Sequence, residues 1–269
     1  MLISIITPTF NSEKTVGRCV KSVISQNYLD YEHIIVDKQS NDQTLAIISD
    51  LYEQAGLTEK LRLRSESDNG IADAFNRGIQ LTSGDVIGIL NSDDHLFNSE
   101  SLSRISEPFI DPSVLYVHGN IYLHDPLYGS SLRRPLCCHI THAMPFNHPA
   151  LYFRKEIYKI NGLYDTRYRL VMDYEFLMRL FKNHRSVYNS DHYIPGDPLV
   201  VMYSGGVSWK REKESLKEIK SALRHHGLFN LQARLHIFLR YLRVKIRGFM
   251  VKLHLTSLVR LWRKWKWKN

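Results

Sequence analysis

The chain has 269 residues, 43% hydrophobic and 23% charged, the composition of an ordinary soluble globular protein with room for one large domain or one domain and an appendage. Three cysteines (Cys19, Cys137 and Cys138) are too few for a disulfide framework and point to a reducing cytosol, while no stretch approaches the roughly 18 consecutive apolar residues of a spanning helix. The formal charge of +9 is unevenly shared: residues 207–269 hold 17 Lys/Arg against 3 Asp/Glu, a net of +14, and residues 1–206 hold 19 against 24, a net of −5.

The N-terminus, MLISIITPTFN, enters a strand-like run at once, without a basic n-region or small-residue cleavage site, so no signal peptide is expected. LISIITPTF is a β-branched apolar run. In the following TVGRCVKSVISQ, the residues Val16, Cys19, Val20, Val23 and Ile24 recur at helical spacing. YEHIIVD predicts a second strand, TLAIISDLYEQAG a helix closing on Gly56, and LRLRSES a third strand. GIADAFNRGIQLTSG predicts a helix with Ile71, Phe75 and Ile79 along one face, and DVIGIL a fourth strand. This alternation implies a parallel sheet covered on both faces, whose ligands bind outside the carboxyl ends of the strands. Those ends carry TPTFN, VDKQSND, ESDNG and NSDD. Further on, VLYVHGNIYL and ALYFRKE read as strands, DYEFLMRLFKN as a short helix, and VYNSDHYIP with LVVMYSGG as a strand pair.

From about Lys210 basic and apolar residues interleave at roughly helical spacing, ending with Trp262, Trp265 and Trp267 among Arg263, Lys264, Lys266 and Lys268. Two dispositions suit this tail: helices packed on the body with a solvated basic face, or attachment to an anionic membrane surface. Interfacial Trp among Lys and Arg favours the membrane. Nucleic acid is not expected, because no recognised binding module accompanies the charge.

The chemistry centres on LNSDD, residues 90–94. Adjacent carboxylates repel and raise each other's proton affinity. A hard divalent cation, Mn²⁺ or Mg²⁺, would relieve this, taking one or two protein oxygens and filling its other positions with phosphate and water. Asn-Ser-Asp-Asp is also good turn chemistry, so NSDD by itself leaves a solvated turn open. CCHITH, residues 137–142, is not read as a zinc site, since vicinal cysteines suit a shared tetrahedral ion poorly.

TPTFN, IIVDKQSNDQT, SDNGIADAFNRGI, GDVIGILNSDD and MDYEFLMRL, in this order and spacing, resemble family 2 glycosyltransferases of the GT-A fold, of the kind that build bacterial surface polysaccharides. The resemblance covers about residues 3–205. It implies an α/β fold with a Rossmann-like, mostly parallel sheet flanked by helices, carrying here a basic amphipathic helical tail. The expected organisation is a nucleotide-sugar half over 1–100, an acceptor half over 101–206 and the tail over 207–269. By the same resemblance Pro8, Thr9, Asn11 and Asp37 hold the nucleoside, with Asp68 near the same pocket. Asp93 lies against ribose and metal, and Asp94 ligates the cation. Where the family commonly has Asp-Gly or Asp-Asp, this chain has Asp37-Lys38. Arg77 is a candidate phosphate contact or a surface arginine, and His148 in FNHPALYFRKE a candidate on the acceptor side or a structural histidine.

In MDYEFLMRL, Asp173 and Glu175 are two apart and point in different directions on a helix, whereas Glu175 and Arg179 can pair along its surface. That leaves Asp173 free for another role, helix capping being the plain one. In the family an acidic dipeptide here supplies the general base; its second residue matches Asp173 and its first is replaced by Met172.

The implied activity is metal-dependent, inverting transfer of a sugar from a nucleotide-diphosphate sugar, expected to be a UDP-sugar, to a saccharide hydroxyl. It would serve O-antigen, capsule or other surface polysaccharide, with a lipid-linked acceptor compatible and the enzyme peripheral on the inner face of the cell membrane. Two alternatives are a sugar nucleotidyltransferase, which would want a Gly-rich loop where TPTFN has none, and a non-catalytic basic membrane or nucleic-acid adaptor.

Overall fold

Strands hidden on both faces need apolar side chains on both, and the first two meet that demand. β1 (Ile3–Thr9) and β2 (Tyr31–Asp37) are buried at every position. The computed structural model describes residues 1–126, 129–206 and 210–252. Between the early strands run α1 (Val16–Ile24), α2 (Thr44–Ala55), β3 (Leu61–Ser65) and α3 (Ile71–Leu81), followed by β4 (Val86–Ile89). Each helix covers the sheet with an apolar stripe; α1 buries Val16, Cys19, Val20 and Val23. α2 ends on Gly56, whose φ of 64° lies in the left-handed region that closes helices without a side-chain penalty. α3 approaches β1 so closely that a Cβ on Gly78 would stand 2.4 Å from Ile6 Cγ2. Its buried face is Ala72, Ala74, Phe75, Gly78 and Ile79, with Ile71 exposed at the helix start rather than on that face as expected.

The second half supplies β5 (His95–Leu96), α4 (Ser101–Ser106), β6 (Tyr116–Gly119), β7 (Ile121–His124), β8 (Ser131–Arg133), β9 (Leu151–Arg154), α5 (Lys155–Asn161), α6 (Met172–Asn183), β10 (Asp191–Ile194) and β11 (Val200–Tyr203). A seven-stranded sheet in the order β10-β6-β9-β4-β1-β2-β3 forms the centre, and β5-β11-β7-β8 form a smaller sheet beside it. The large sheet is parallel except at β9, which runs antiparallel to both β4 and β6. Two further differences from the sequence reading concern strand partners. The run VLYVHGNIYL is not one strand: it breaks at Asn120, sending β6 to the large sheet and β7 to the small one. Asn120 holds the corner by donating to Gly196 O at 2.8 Å and accepting from Tyr193 Oη at 2.8 Å. The expected strand pair β10 and β11 is likewise divided between the sheets, with Gly196 at φ 84° in the segment between them.

The tail begins as two helices, α7 (Glu212–His225) and α8 (Leu231–Lys252). α7 packs on the body: Leu216, Ile219, Ala222 and Leu223 join the core that holds Phe176, Leu177 and Leu180 of α6. The tryptophan cluster lies outside the described residues. Among the described residues no helix is long and apolar enough to cross a membrane.

One correction follows from this docking. Glu175 and Arg179 do pair, at 3.1 Å, but Glu175 is buried rather than on the surface, because α7 ends against it and His226 Nε2 contacts the same carboxylate oxygen at 2.8 Å. Arg179 also donates to the Asn161 and Leu163 carbonyls, tying α6 to the end of α5. Removing one member of a buried charged network leaves the others unpaired, which costs more than the network contributed. Glu175→Ala is therefore expected to destabilise the protein by about 3 kcal/mol, toward the low end for such sites because Arg179 retains two carbonyl acceptors. Urea denaturation of the two proteins checks this, and Glu175→Gln, which keeps the shape, should lose markedly less.

Candidate active site

Parallel pairing places Thr9 opposite Asp37 and Asp37 opposite Ser65, so three neighbouring strands end on one level. The Asp37 carboxylate, 0% exposed, gathers this rim. Thr9 Oγ1 and Ser40 Oγ donate to its Oδ1 at 2.9 and 2.5 Å, and the Ser40 amide and Ser65 Oγ to its Oδ2 at 2.9 and 2.8 Å. Four donors on two oxygens leave Asp37 little capacity for a ligand. In this structure the carboxylate expected at the nucleoside ties together the loops after β1 and β2. Asn11 lies at that rim with φ 48°, accepting the Asn41 amide on Oδ1 at 3.0 Å while its own amide donates to Ser40 Oγ at 2.8 Å. Pro8 is buried in β1. Lys38 pairs with Asp68 at 2.9 Å, and Asp68 accepts the Gly70 amide at 2.8 Å, so the departure at position 38 bridges the loops after β2 and β3.

Arg77 is corrected. Its guanidinium pairs with Glu66 at 2.9 Å and with Asp73, one turn earlier on α3, at 3.2 Å. Two carboxylates already neutralise it, so it is not a free phosphate contact.

The acidic pair follows β4. The Asp94 amide donates to the Asn91 carbonyl at 3.0 Å, closing a turn that drives the Asp94 side chain inward. At 1% exposure, Asp94 accepts the Tyr203 amide on Oδ1 at 3.0 Å and lies 3.4 Å from the Asn91 side-chain nitrogen. Burial, reinforced by the like charge of Asp93, pushes its proton affinity up to about 8. Burial raises Asp93 as well, with Arg18 opposing. Asp93 is half-buried, so it is the more accessible of the two. Arg18 was not picked out from the sequence. Its guanidinium lies 3.8 Å from the centre of the Tyr203 ring and donates to the Asp93 carbonyl at 2.9 Å, fastening α1 and β11 across the acidic turn. Ser12 Oγ, 3.0 Å from Ser92 Oγ, joins the β1 loop to the same turn. An arginine one helix away and a strand-end tyrosine carry no local sequence signal for this role.

Asp173 opens α6, half-buried, and accepts the adjacent Tyr174 amide at 2.8 Å; it makes no helix-capping bond further along. Its charge reaches His148, countering the burial that keeps this imidazole neutral. His148 stacks on Phe75 with ring centres 5.7 Å apart, and its 3-10 turn, His148–Ala150, packs on β4 and β11. The two acceptor-side candidates are thus neighbours, at the strands that carry the acidic turn.

A sequence model described as Glycosyl transferase family 2 matches residues 4–179. The chain belongs to glycosyltransferase family 2. It is a glycosyltransferase, and its relatives agree in kind. Over 238 residues, 83% of this chain and 86% of the relative, it is 30% identical to a PGL/p-HBAD biosynthesis glycosyltransferase of Mycobacterium tuberculosis. The GT-A architecture recurs in the Staphylococcus aureus TarS 1–349 fragment solved with UDP-GlcNAc (TM-score 0.62, 20% identity, 83% of this chain). This chain spans 66% of that fragment. The architecture recurs again in the Pyrobaculum calidifontis mannosyltransferase PcManGT with GDP-Man and Mn²⁺ (TM-score 0.66, 16% identity, 98% of this chain and 82% of that one).

The buried turn carries a stability consequence of definite sign. Asp94 titrates near its reference value of 3.8 when unfolded and near 8 when folded, so between those values the metal-free folded state holds the extra proton. Its contribution is fully present below about pH 4 and is lost as pH climbs toward 8. Asp94→Asn should match the parent only at or below about pH 4 and exceed it increasingly from there to pH 8, by on the order of a few kcal/mol, read by urea denaturation in chelator.

Proposed function

We propose that this family 2 enzyme transfers a sugar from a UDP-sugar to a saccharide hydroxyl with inversion at the anomeric carbon, assisted by Mn²⁺ or Mg²⁺. The observation that carries the reading is the acidic turn itself. Two adjacent carboxylates, both held against ionisation by burial, stand where the parallel sheet presents its ligands. Their oxygens are the hard donors such cations prefer, and two protein ligands suffice when a diphosphate supplies others. Asp93 would hold the ion, with Asp94 behind it. Bound there, the cation supplies charge to neutralise the departing diphosphate. The S. aureus fragment with UDP-GlcNAc supports uridine, and the Pyrobaculum enzyme with Mn²⁺ supports the cation.

The chain's own residues do the rest. Thr9, Asn11 and the loops knotted by Asp37 frame the nucleoside; Asp68, locked to Lys38, stiffens the adjoining wall. On the acceptor side Asp173 receives the hydroxyl proton as the oxygen attacks the anomeric carbon and the carbon–oxygen bond to the diphosphate breaks. UDP leaves from the opposite face. A carboxylate suits this because the hydroxyl becomes acidic only as the new bond forms. His148, kept neutral and stacked on Phe75, orients the acceptor beside it. The acceptor is a saccharide of a surface polysaccharide or glycolipid, carried on a lipid.

Asp173→Asn should lower turnover by about a thousandfold while leaving UDP affinity unchanged, because the base acts only in the transfer step. Asp93→Asn should instead abolish the thermal stabilisation that UDP gains from manganese. Assays of UDP release and melting temperature over a panel of nucleotide sugars separate the two effects. Normal turnover in Asp173→Asn would sink the assignment of the base.

A further inference from the structure

Helix α8 presents two apolar faces where a helix on a soluble protein needs one. Ala233 is buried, and Ile237 and Val244 pack against the core; these residues, with His236 and Arg240, face the body. On the opposite side Leu235, Phe238, Leu239, Leu242, Ile246 and Phe249 recur every three or four residues, a single stripe along the helix. They are not tips of side chains lying flat: Phe238 is 60% and Phe249 63% exposed, Leu235 54% and Ile246 50%. On the helical wheel Arg234 and Lys245 border the stripe on one side and Arg243 on the other. The helix contains six basic residues and no acidic one over 231–252. At its far end Phe249 also lines an open cleft of about 670 Å³ against the start of α7, where Lys210, Lys213 and Lys245 gather while Glu212 and Glu214 are paired with Arg247 and Arg211.

A continuous stripe this size calls for an apolar partner. We propose that the outer face of α8 docks in the plane of an anionic lipid bilayer, with the stripe beneath the headgroups and the cleft receiving a lipid phosphate. Charge selects the bilayer. Residues 207–269 carry a net of +14 and the body −5, so a negative surface attracts the tail and turns the body away. A second copy, paired through the same face, would set like charge against like. Nucleic acid would satisfy the cations but offer nothing to the stripe. Six cations forbid α8 from crossing the hydrocarbon, which leaves it lying at the interface. The inference stands apart from the donor and acceptor proposed above.

The test uses the full chain and co-sedimentation with phosphatidylcholine vesicles, with or without phosphatidylglycerol. Binding is expected to the anionic vesicles and to be about tenfold weaker to the neutral ones. Replacing Phe238→Gln, Leu242→Gln and Phe249→Gln together should weaken binding by about tenfold or more while melting temperature and UDP release stay unchanged. Arg234→Gln with Lys245→Gln should selectively weaken binding to the anionic vesicles, and this variant decides the matter if the triple one is unstable. Equal binding to both vesicles would overturn the proposal. So would unchanged binding of both variants, preference for DNA over vesicles, or a dimer in centrifugation that the triple variant dissociates.

Discussion

Two carboxylates side by side at the edge of a buried sheet are a standing electrostatic cost, and the surrounding structure is organised to sustain it. The turn after β4 buries Asp94 and leaves Asp93 half-open. A backbone amide of β11 takes up one Asp94 oxygen, and Arg18 fastens the turn from above without pairing directly with either carboxylate among the described ion pairs. A strong internal salt bridge would have quenched the charge. What is built instead is a pair of buried acids whose proton affinity burial raises, with Arg18 opposing.

A second carboxylate serves the opposite purpose. Asp37 is as deeply buried as Asp94, yet four donors from three strand ends converge on it. A carboxylate satisfied in this way becomes scaffold: it fixes the loops after β1 and β2 while their outer atoms remain available. Arg77 shows the same division. Bound by Glu66 and Asp73, it anchors the start of α3, and the positive charge near the acidic turn comes from Arg18. Residue type therefore does not separate ligand from support; the number of partners already engaged does.

The tail links the body to what lies outside it. α7 is part of the fold, since Glu175 in the first turn of α6 is satisfied by His226 beyond the end of α7. α8 continues from that anchorage with one face on the core and the other outward. Such an arrangement positions a basic apolar stripe with respect to α6, which a tail joined only by a flexible segment could not do.

Much of this was legible in the residues. Periodicity located the strands and helices of the first hundred residues, because each of these elements buries a face whose spacing is local. The motif order pointed to the family. What sequence could not decide was direction and partnership. The antiparallel insertion of β9, the break at Asn120 and the separation of β10 from β11 depend on which distant edges are free to pair. The deeper burial of Asp94 rests on an amide 109 positions away, and the burial of Glu175 on a histidine 51 positions on. Sequence alone determined which side chains carry charge and where the first four strands end, since these are properties of neighbours in the chain. Only tertiary structure decided which of those charges are already spent, because the groups that neutralise them arrive from elsewhere in the fold.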